Sequence, residues 1–412
     1  MQLISKQNTW ISEKKLCLEI ELLLNCVRPQ IDSDRIKDLV QENIDWQYLI
    51  QTAYRHGVIP LLYSNLSNIC PQLIPASFQQ QFQHNQYART QRNLMLTSKL
   101  LKLLELFGAN DIPVIPFKGP ILAISAYGDI SRRDFFDLDI LVRKQDFLKA
   151  KELLTTQGYQ PYSNNSEKEA AYLSSLKEHQ QKAYLQSHWE LHMVDERDRV
   201  TIDLHHGMLP KQFSFLFDTE WLWEYAQLKP FANRMVLNLS SEDSILILCS
   251  QGAKDCWQQL NRICDIAQVL CSCGEINWKQ VCDRAIKLRM TRILLLGLLL
   301  AHELLEVKLP KTILQQIQAD PLVKSLASQI YTQLFYQAES LVPSQKVNRS
   351  LFHLSMIEHP LDKIWYCFEH LVVPTVADEV FLPLPQFLSF LYYPLRLIRL
   401  IRIYGLKRRF RE

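Results

Sequence analysis

The sequence predicts an α+β fold that is mainly α-helical, with a small β-sheet core between two helical regions. Three observations predict it. Apolar residues follow helical spacing up to about residue 108, short strand-like runs occupy about 110 to 210, and helical spacing returns from about 211.

The elements follow in order. Trp46, Leu49, Ile50 and Ala53 recur at i, i+3, i+4 and i+7, so they share one helix face. A polar-then-apolar run from Phe82 to Phe107 continues the helical pattern until Gly108, Ala109 and Asn110 supply turn residues. Pro113 to Phe117 reads as a short strand, Ile121 to Tyr127 as a short helix and Asp129 to Arg133 as a loop. Phe135 to Val142 is a strand. Asp146 to Gln157 is a helix with Phe147, Ala150 and Leu154 on one face, stopped by Gly158. Tyr184 to Val194 and Val200 to His206 read as strands joined by the charged hairpin loop Asp195 to Arg199. Beyond 211, Ser240, Ser241 and Asn277 are expected to cap helices. The expected division is 1–108, 109–210 and 211–412. Few prolines or glycines make a clean linker, so the three parts are expected to pack together.

Composition narrows the function. A chain of 412 residues suffices for two or three domains with apolar cores. Its 46 basic and 43 acidic residues leave a net charge of +3, which gives no global case for nucleic-acid binding. The start, MQLISKQNTW, lacks a basic stretch followed by an apolar one; no signal peptide is read and a cytoplasmic location is expected. Ten cysteines without a short, dense framework read as reduced thiols, and Cys264, Cys271 and Cys273 lack the paired C-x-x-C spacing of a structural zinc site. Ile293 to Ala301 is apolar but far shorter than the roughly 20 residues of a membrane span. Val380 to Leu395 is interrupted by Pro383, Pro385 and Pro394. The chain ends in Arg396, Arg399, Arg402, Lys407, Arg408, Arg409 and Arg411. The arginines spaced among Leu397, Ile398, Leu400 and Ile401 predict an amphipathic basic helix. Its expected place is on the body with its charged face solvated; the alternative is weak contact with an anionic membrane surface or an acidic partner.

Chemistry concentrates in the middle. Along the strand Phe135 to Val142, side chains alternate, so Asp137 and Asp139 point one way and Phe136, Leu138, Ile140 and Val142 the other. Two like charges so close call for a compensating cation. Mg²⁺ fits, because it takes oxygen ligands and reaches proteins through one or two carboxylates plus phosphates. In Thr201 to His206, Asp203 lies between Ile202 and Leu204 and on the opposite face from them. If that strand lies beside the Asp137 strand, three carboxylates converge. Two-metal phosphoryl chemistry needs such a set, with ions roughly 3.5–4 Å apart. His188, Glu190 and His192 also share a strand face, and a zinc-dependent hydrolase is the rival chemistry they suggest.

These pieces resemble the DNA polymerase β-like nucleotidyltransferase superfamily. Its helix-start glycine, hydrophobic-Asp-hydrophobic-Asp strand and later hydrophobic-Asp-hydrophobic strand match Lys118-Gly119, Asp137-Leu138-Asp139 and Ile202-Asp203-Leu204. More narrowly, Phe117 to Pro120, Tyr127-Gly128, Arg133, Asp137 to Val142 and Asp203 to His205 look like an uncharacterised bacterial nucleotidyltransferase family. The flanks Trp46 to Leu62, Gly252 to Leu270 and Pro374 to Arg399 agree. The resemblance implies a mixed sheet of nucleotidyltransferase type. It implies transfer of a nucleoside monophosphate from an NTP (ATP as the guess) to an acceptor hydroxyl in a protein, peptide or small metabolite. Asp137, Asp139 and Asp203 would bind two Mg²⁺ ions, and Asp203 would also activate the acceptor. Gly119 would let the triphosphate approach the helix start, Lys118 and Arg133 would neutralise phosphate charge, and Lys254, at the start of a later helix, would reach it from the other side. The chain departs from the pattern in lacking the helix-start serine, in placing Pro120 after Gly119, and in carrying Gln251 and Asp255 where histidines are expected. These departures motivate the alternative of a catalytically degenerate binding module.

Overall fold

Alternation of apolar and polar residues builds a five-stranded sheet, seen in a computed structural model of the chain. The structure describes residues 16–162, 189–208, 219–336 and 349–402, apart from 376, 377, 379, 380, 383 and 385. The strands are β1 (Val114–Phe117), β2 (Asp137–Val142), β3 (Tyr159–Pro161), β4 (Glu190–Asp195) and β5 (Val200–His205), in the order β1-β2-β5-β4-β3. The β2–β5 pair is parallel and the other pairs are antiparallel, so the sheet is mixed. A parallel neighbour needs a long crossover. Here the chain between β2 and β5 supplies one, through the helix Phe147–Thr156 and strands β3 and β4.

One face of the sheet is apolar. Leu138, Ile140, Leu191, Met193, Ile202 and Leu204 are buried there against Leu100, Leu103 and Phe107 of the helix Ala76–Ala109 and Phe147 of the following helix. Burying each such side chain is worth roughly 1.5–3 kcal/mol, so this face fixes the register. Slipping by one residue would bury the aspartates and expose the leucines. The opposite face carries the polar residues.

Helices before and after the sheet in sequence share one core. Leu22 and Leu23 of helix Leu18–Val27 and Leu62 of helix Ile59–Ile69 cluster with Leu246 of helix Ser241–Lys254, Ile266 of helix Leu260–Ser272 and Leu296 of helix Thr291–Leu305. The continuously apolar Ile293 to Ala301 is therefore the centre of a buried helix. Among the described residues no helix is long and apolar enough to cross a membrane. Ser240 and Asn277 cap their helices as expected, accepting from the Asp243 and Gln280 amides, whereas Ser241 is the first helical residue. None of the ten cysteines forms a disulfide.

Three expectations need correction. A second sheet, β6 (Gln227–Phe231) with β7 (Arg234–Asn238), interrupts the region read as helical from 211. Its turn residues Ala232 and Asn233 both have positive φ, 46° and 64°. A turn of that hand is ordinarily signalled by Asn-Gly or Asp-Gly, and Pro230 further hides the strand. Lys254 is the last residue of its helix, not near the first, because Ser240 starts the helix and Gly252 does not stop it. Gly252 is needed for packing: a Cβ there would lie 2.4 Å from the Trp257 ring. The third correction concerns the C-terminal arginines. Arg396 and Arg399 turn inward to Asp378, leaving apolar residues rather than charges on the outer face of helix Tyr392–Leu400.

Candidate functional site

Parallel pairing places Asp139 opposite Asp203 and Asp137 opposite Thr201. Antiparallel pairing then places His192 opposite Asp203 and Glu190 opposite His205. Asp137, Asp139, Asp203, His205, Glu190 and His192 therefore share the polar face, as the alternation of all three strands requires. Phe117 and Leu141, on the same face, join a small apolar cluster with Met208, Leu239 and Ile247.

Each of the two paired aspartates has its own partners. Asp139 is buried; its Oδ1 accepts from Lys118 Nζ at 3.4 Å and lies 3.1 Å from His205 Nε2. Burial opposes ionisation of Asp139, but Lys118 and His205 together hold its carboxyl below the usual carboxylate range. Asp203 Oδ1 lies 2.6 Å from His192 Nδ1. That hydrogen bond raises the His192 pKa against the opposing effect of burial. Glu190 bridges the two histidines, 3.7 Å from His192 Nε2 and 3.7 Å from His205 Nδ1. Among the described residues, buried His205 Nδ1 has no hydrogen-bond partner.

Asp137 is different. Burial, then the charges of Asp139 and Asp203, push its carboxyl up to about 6. It carries the repulsion that the other two have shed onto Lys118, His205 and His192. Two ligand sets have donor atoms within 4.8 Å of one another, Asp139–Asp203–His205 and Glu190–His192–Asp203. Asp137 shares their face and belongs to neither set.

The cations predicted from sequence divide. Lys118 touches Asp139 and also donates to Gln251 Oε1 at 3.4 Å. It has φ 55°, and Gly119, φ 38°, follows it into the short helix Gly119–Ser125. A Cβ on Gly119 would meet only the Asp137 carbonyl at 3.5 Å, so backbone hand rather than space calls for glycine. Lys254 Nζ reaches the rim, 3.6 Å from Glu190 and 4.3 Å from the Trp189 ring centre. Asp255 pairs with Arg262 at 2.8 Å and leaves Lys254 alone. Arg133 donates through Nε and a terminal nitrogen to both oxygens of Asp265 at 2.8 Å, and Tyr127 OH donates to the same carboxylate at 2.6 Å. Burial works against the charge on Arg133, yet Asp265 raises its pKa above the ordinary value.

A family model described as an uncharacterised nucleotidyltransferase matches residues 42–306. The chain belongs to this family. No curated protein and no solved structure matches the chain. The span shared with the family holds every one of these side chains, from Lys118 to Asp265, and ends at the close of helix Thr291–Leu305. Pro374 to Arg399, likened to the family on sequence, lies beyond it. Sequence reasoning missed Asp265 as the partner of Arg133. Its signal was a carboxylate inside the apolar run Ile263-Cys264-Asp265-Ile266-Ala267, all of which is buried. His188 lies outside the described residues, so the rival zinc face is represented by Glu190 and His192.

Proposed function

We propose that this nucleotidyltransferase moves a nucleoside monophosphate from a Mg²⁺-bound nucleoside triphosphate to an acceptor hydroxyl. The acceptor oxygen bonds to the α-phosphorus, the bond to the β-phosphate bridge breaks, and pyrophosphate leaves. The observation that carries this reading is the register of Asp139 against Asp203, with Asp137 two residues back on the same face.

The donor set fits a hard divalent cation. The set Asp139–Asp203–His205 has its donor atoms within 4.8 Å of one another, two of them carboxylate oxygens on a rigid sheet, and Asp137, whose carboxyl burial and its acidic neighbours raise to about 6, stands on the same face. Asp137, Asp139 and Asp203 would hold the metal, which when bound supplies positive charge to the phosphate oxygens. Lys118 and Lys254, at opposite edges of the acidic face, neutralise the triphosphate. Arg133 contributes charge from behind, through the field it exerts on Asp137 and Asp139, while Asp265 fixes its direction. Asp203 accepts the acceptor's hydroxyl proton, with His192 holding the carboxylate in place. Among the described residues no group on this face is assigned to a base, and ATP is the first nucleotide to test among the four.

The test is release of pyrophosphate from each NTP with Mg²⁺, in the presence of labelled NTP and a cell extract as the source of acceptor. Asp139→Asn should abolish labelling. Metal-dependent NTP binding without pyrophosphate release would make the protein a binding module. The set Glu190–His192–Asp203 favours a second reading, a zinc-dependent hydrolase. Stoichiometric zinc in protein purified without added metal, lost in His192→Ala, would select it.

A further inference from the structure

The C-terminal helices present the reverse of ordinary amphipathicity. In helix Tyr392–Leu400, Arg396 is 7% exposed, while Ile398 is 61% exposed and Ile401, just beyond the helix, 71%. The cause is Asp378. Its carboxylate accepts from Arg396 Nη1 at 2.9 Å and from Arg399 Nε at 2.5 Å, while Arg396 Nη2 donates to the His370 carbonyl at 2.7 Å. Both guanidinium groups are thereby drawn inward. The residues left outside are Tyr393, Leu397, Ile398 and Ile401, which share one helix face, and Phe390 of the preceding short helix Gln386–Leu391 is exposed as well.

The preceding helix Pro360–Leu371 does the same. Arg289 holds Asp362 inward at 2.9 Å and Tyr366 is buried, leaving Leu361, Ile364, Phe368 and Leu371 exposed along one stripe. The two helices touch each other, and a protein surface rarely keeps two such apolar stripes without a partner.

We infer that this helix pair is a docking surface for an anionic lipid bilayer, lying in the interface rather than crossing it. Charge selects the occupant. Beyond the two arginines held by Asp378, the sequence from 402 to 412 carries five basic residues and one acidic one, against +3 for the whole chain. Arg402 is exposed at the end of the described helix, next to the most exposed isoleucine. Apolar and aromatic side chains on one face with basic residues at its edge form the pattern that inserts several ångströms into the headgroup region. The surface lies outside the span matched by the family, so it adds a location to the chemistry rather than part of the chemistry.

The test is co-sedimentation of the full chain with phosphatidylcholine vesicles and with vesicles containing about one-third phosphatidylglycerol. Binding should be at least tenfold tighter to the anionic vesicles and should weaken severalfold between low and high salt. Ile398→Ser with Ile401→Ser should lose tenfold or more. These side chains are mostly exposed, so the variant's thermal midpoint should match the wild type. Arg408→Glu with Arg409→Glu should remove the preference for anionic lipid. Equal or absent binding to both vesicle types overturns the inference, as does unchanged binding by the isoleucine variant. Dimers in lipid-free buffer that the isoleucine variant abolishes would assign the surface to a second copy of the chain instead.

Discussion

Asp137 is where the acidic face stores its repulsion, and a pH titration should expose it. Its carboxyl is raised from 3.8 to about 6 by burial and by Asp139 and Asp203. The folded protein therefore holds this proton more tightly than the unfolded chain does. Stability from Asp137 is fully present below about pH 4 and is lost as pH rises through about 6. A shift of about two units corresponds to on the order of 3 kcal/mol. The assay is urea denaturation of chelator-treated protein, followed by tryptophan fluorescence, from pH 4 to pH 7. Other groups titrate in that window, so the quantity to read is the difference between wild type and Asp137→Asn. Wild type should lose about 2–3 kcal/mol more than the variant. Saturating Mg²⁺ at pH 7, at about a hundredfold over its dissociation constant, should restore roughly 2.7 kcal/mol to the wild type only. Parallel pH curves for the two proteins would refute the assignment of repulsion to Asp137.

Other perturbations test separate parts of the structure. Asp139→Asn should lower pyrophosphate release by at least about a hundredfold while leaving the circular dichroism spectrum unchanged, since an amide can still meet Lys118 or His205. Asp265→Ala strands the buried Arg133 guanidinium and the Tyr127 hydroxyl and should cost about 3–5 kcal/mol in chemical denaturation. Gly252→Ala should cost about 1–3 kcal/mol, because the added methyl overlaps the Trp257 ring in a packed core.

The sheet was legible because the acidic stretches of β2, β4 and β5 alternate with apolar residues. Asp137, Leu138, Asp139 and Ile140 alternate in sequence and in space, and the hairpin of β4 and β5 lies where its charged turn placed it. The meeting of Asp139 with Asp203 was legible only as a condition. Sequence periodicity gives faces but not which strands adjoin, and the crossover between β2 and β5 is settled by tertiary packing. Two features were hidden for local reasons. β6 and β7 turn through Ala232 and Asn233, whose left-handed backbone no glycine announces. The inward arginines were unreadable because their orientation depends on Asp378, 18 and 21 residues away. Spacing alone predicts that arginines face water, and a buried acid reverses that preference.

Charge compensation at the site leads to a last expectation, at Lys118. Its Nζ lies 3.4 Å from Asp139 Oδ1, and both groups are largely buried. At an effective dielectric constant near 20, the attraction is roughly 5 kcal/mol before desolvation is counted. In the metal-free protein, Lys118 therefore occupies the charge that a divalent cation would claim. A cation at Asp139 and a lysine at Asp139 compete, and the displaced ammonium is the group nearest to hand for a phosphate oxygen. Lys118→Met removes the competitor and the phosphate contact together. Mn²⁺ measured by calorimetry without nucleotide should bind about tenfold more tightly to the variant, while NTP binding in the presence of Mn²⁺ weakens by at least as much. Opposite movement of the two affinities separates this lysine from one that merely stabilises the fold, for which both would fall. Unchanged Mn²⁺ affinity would mean that Lys118 does not shield Asp139 in solution.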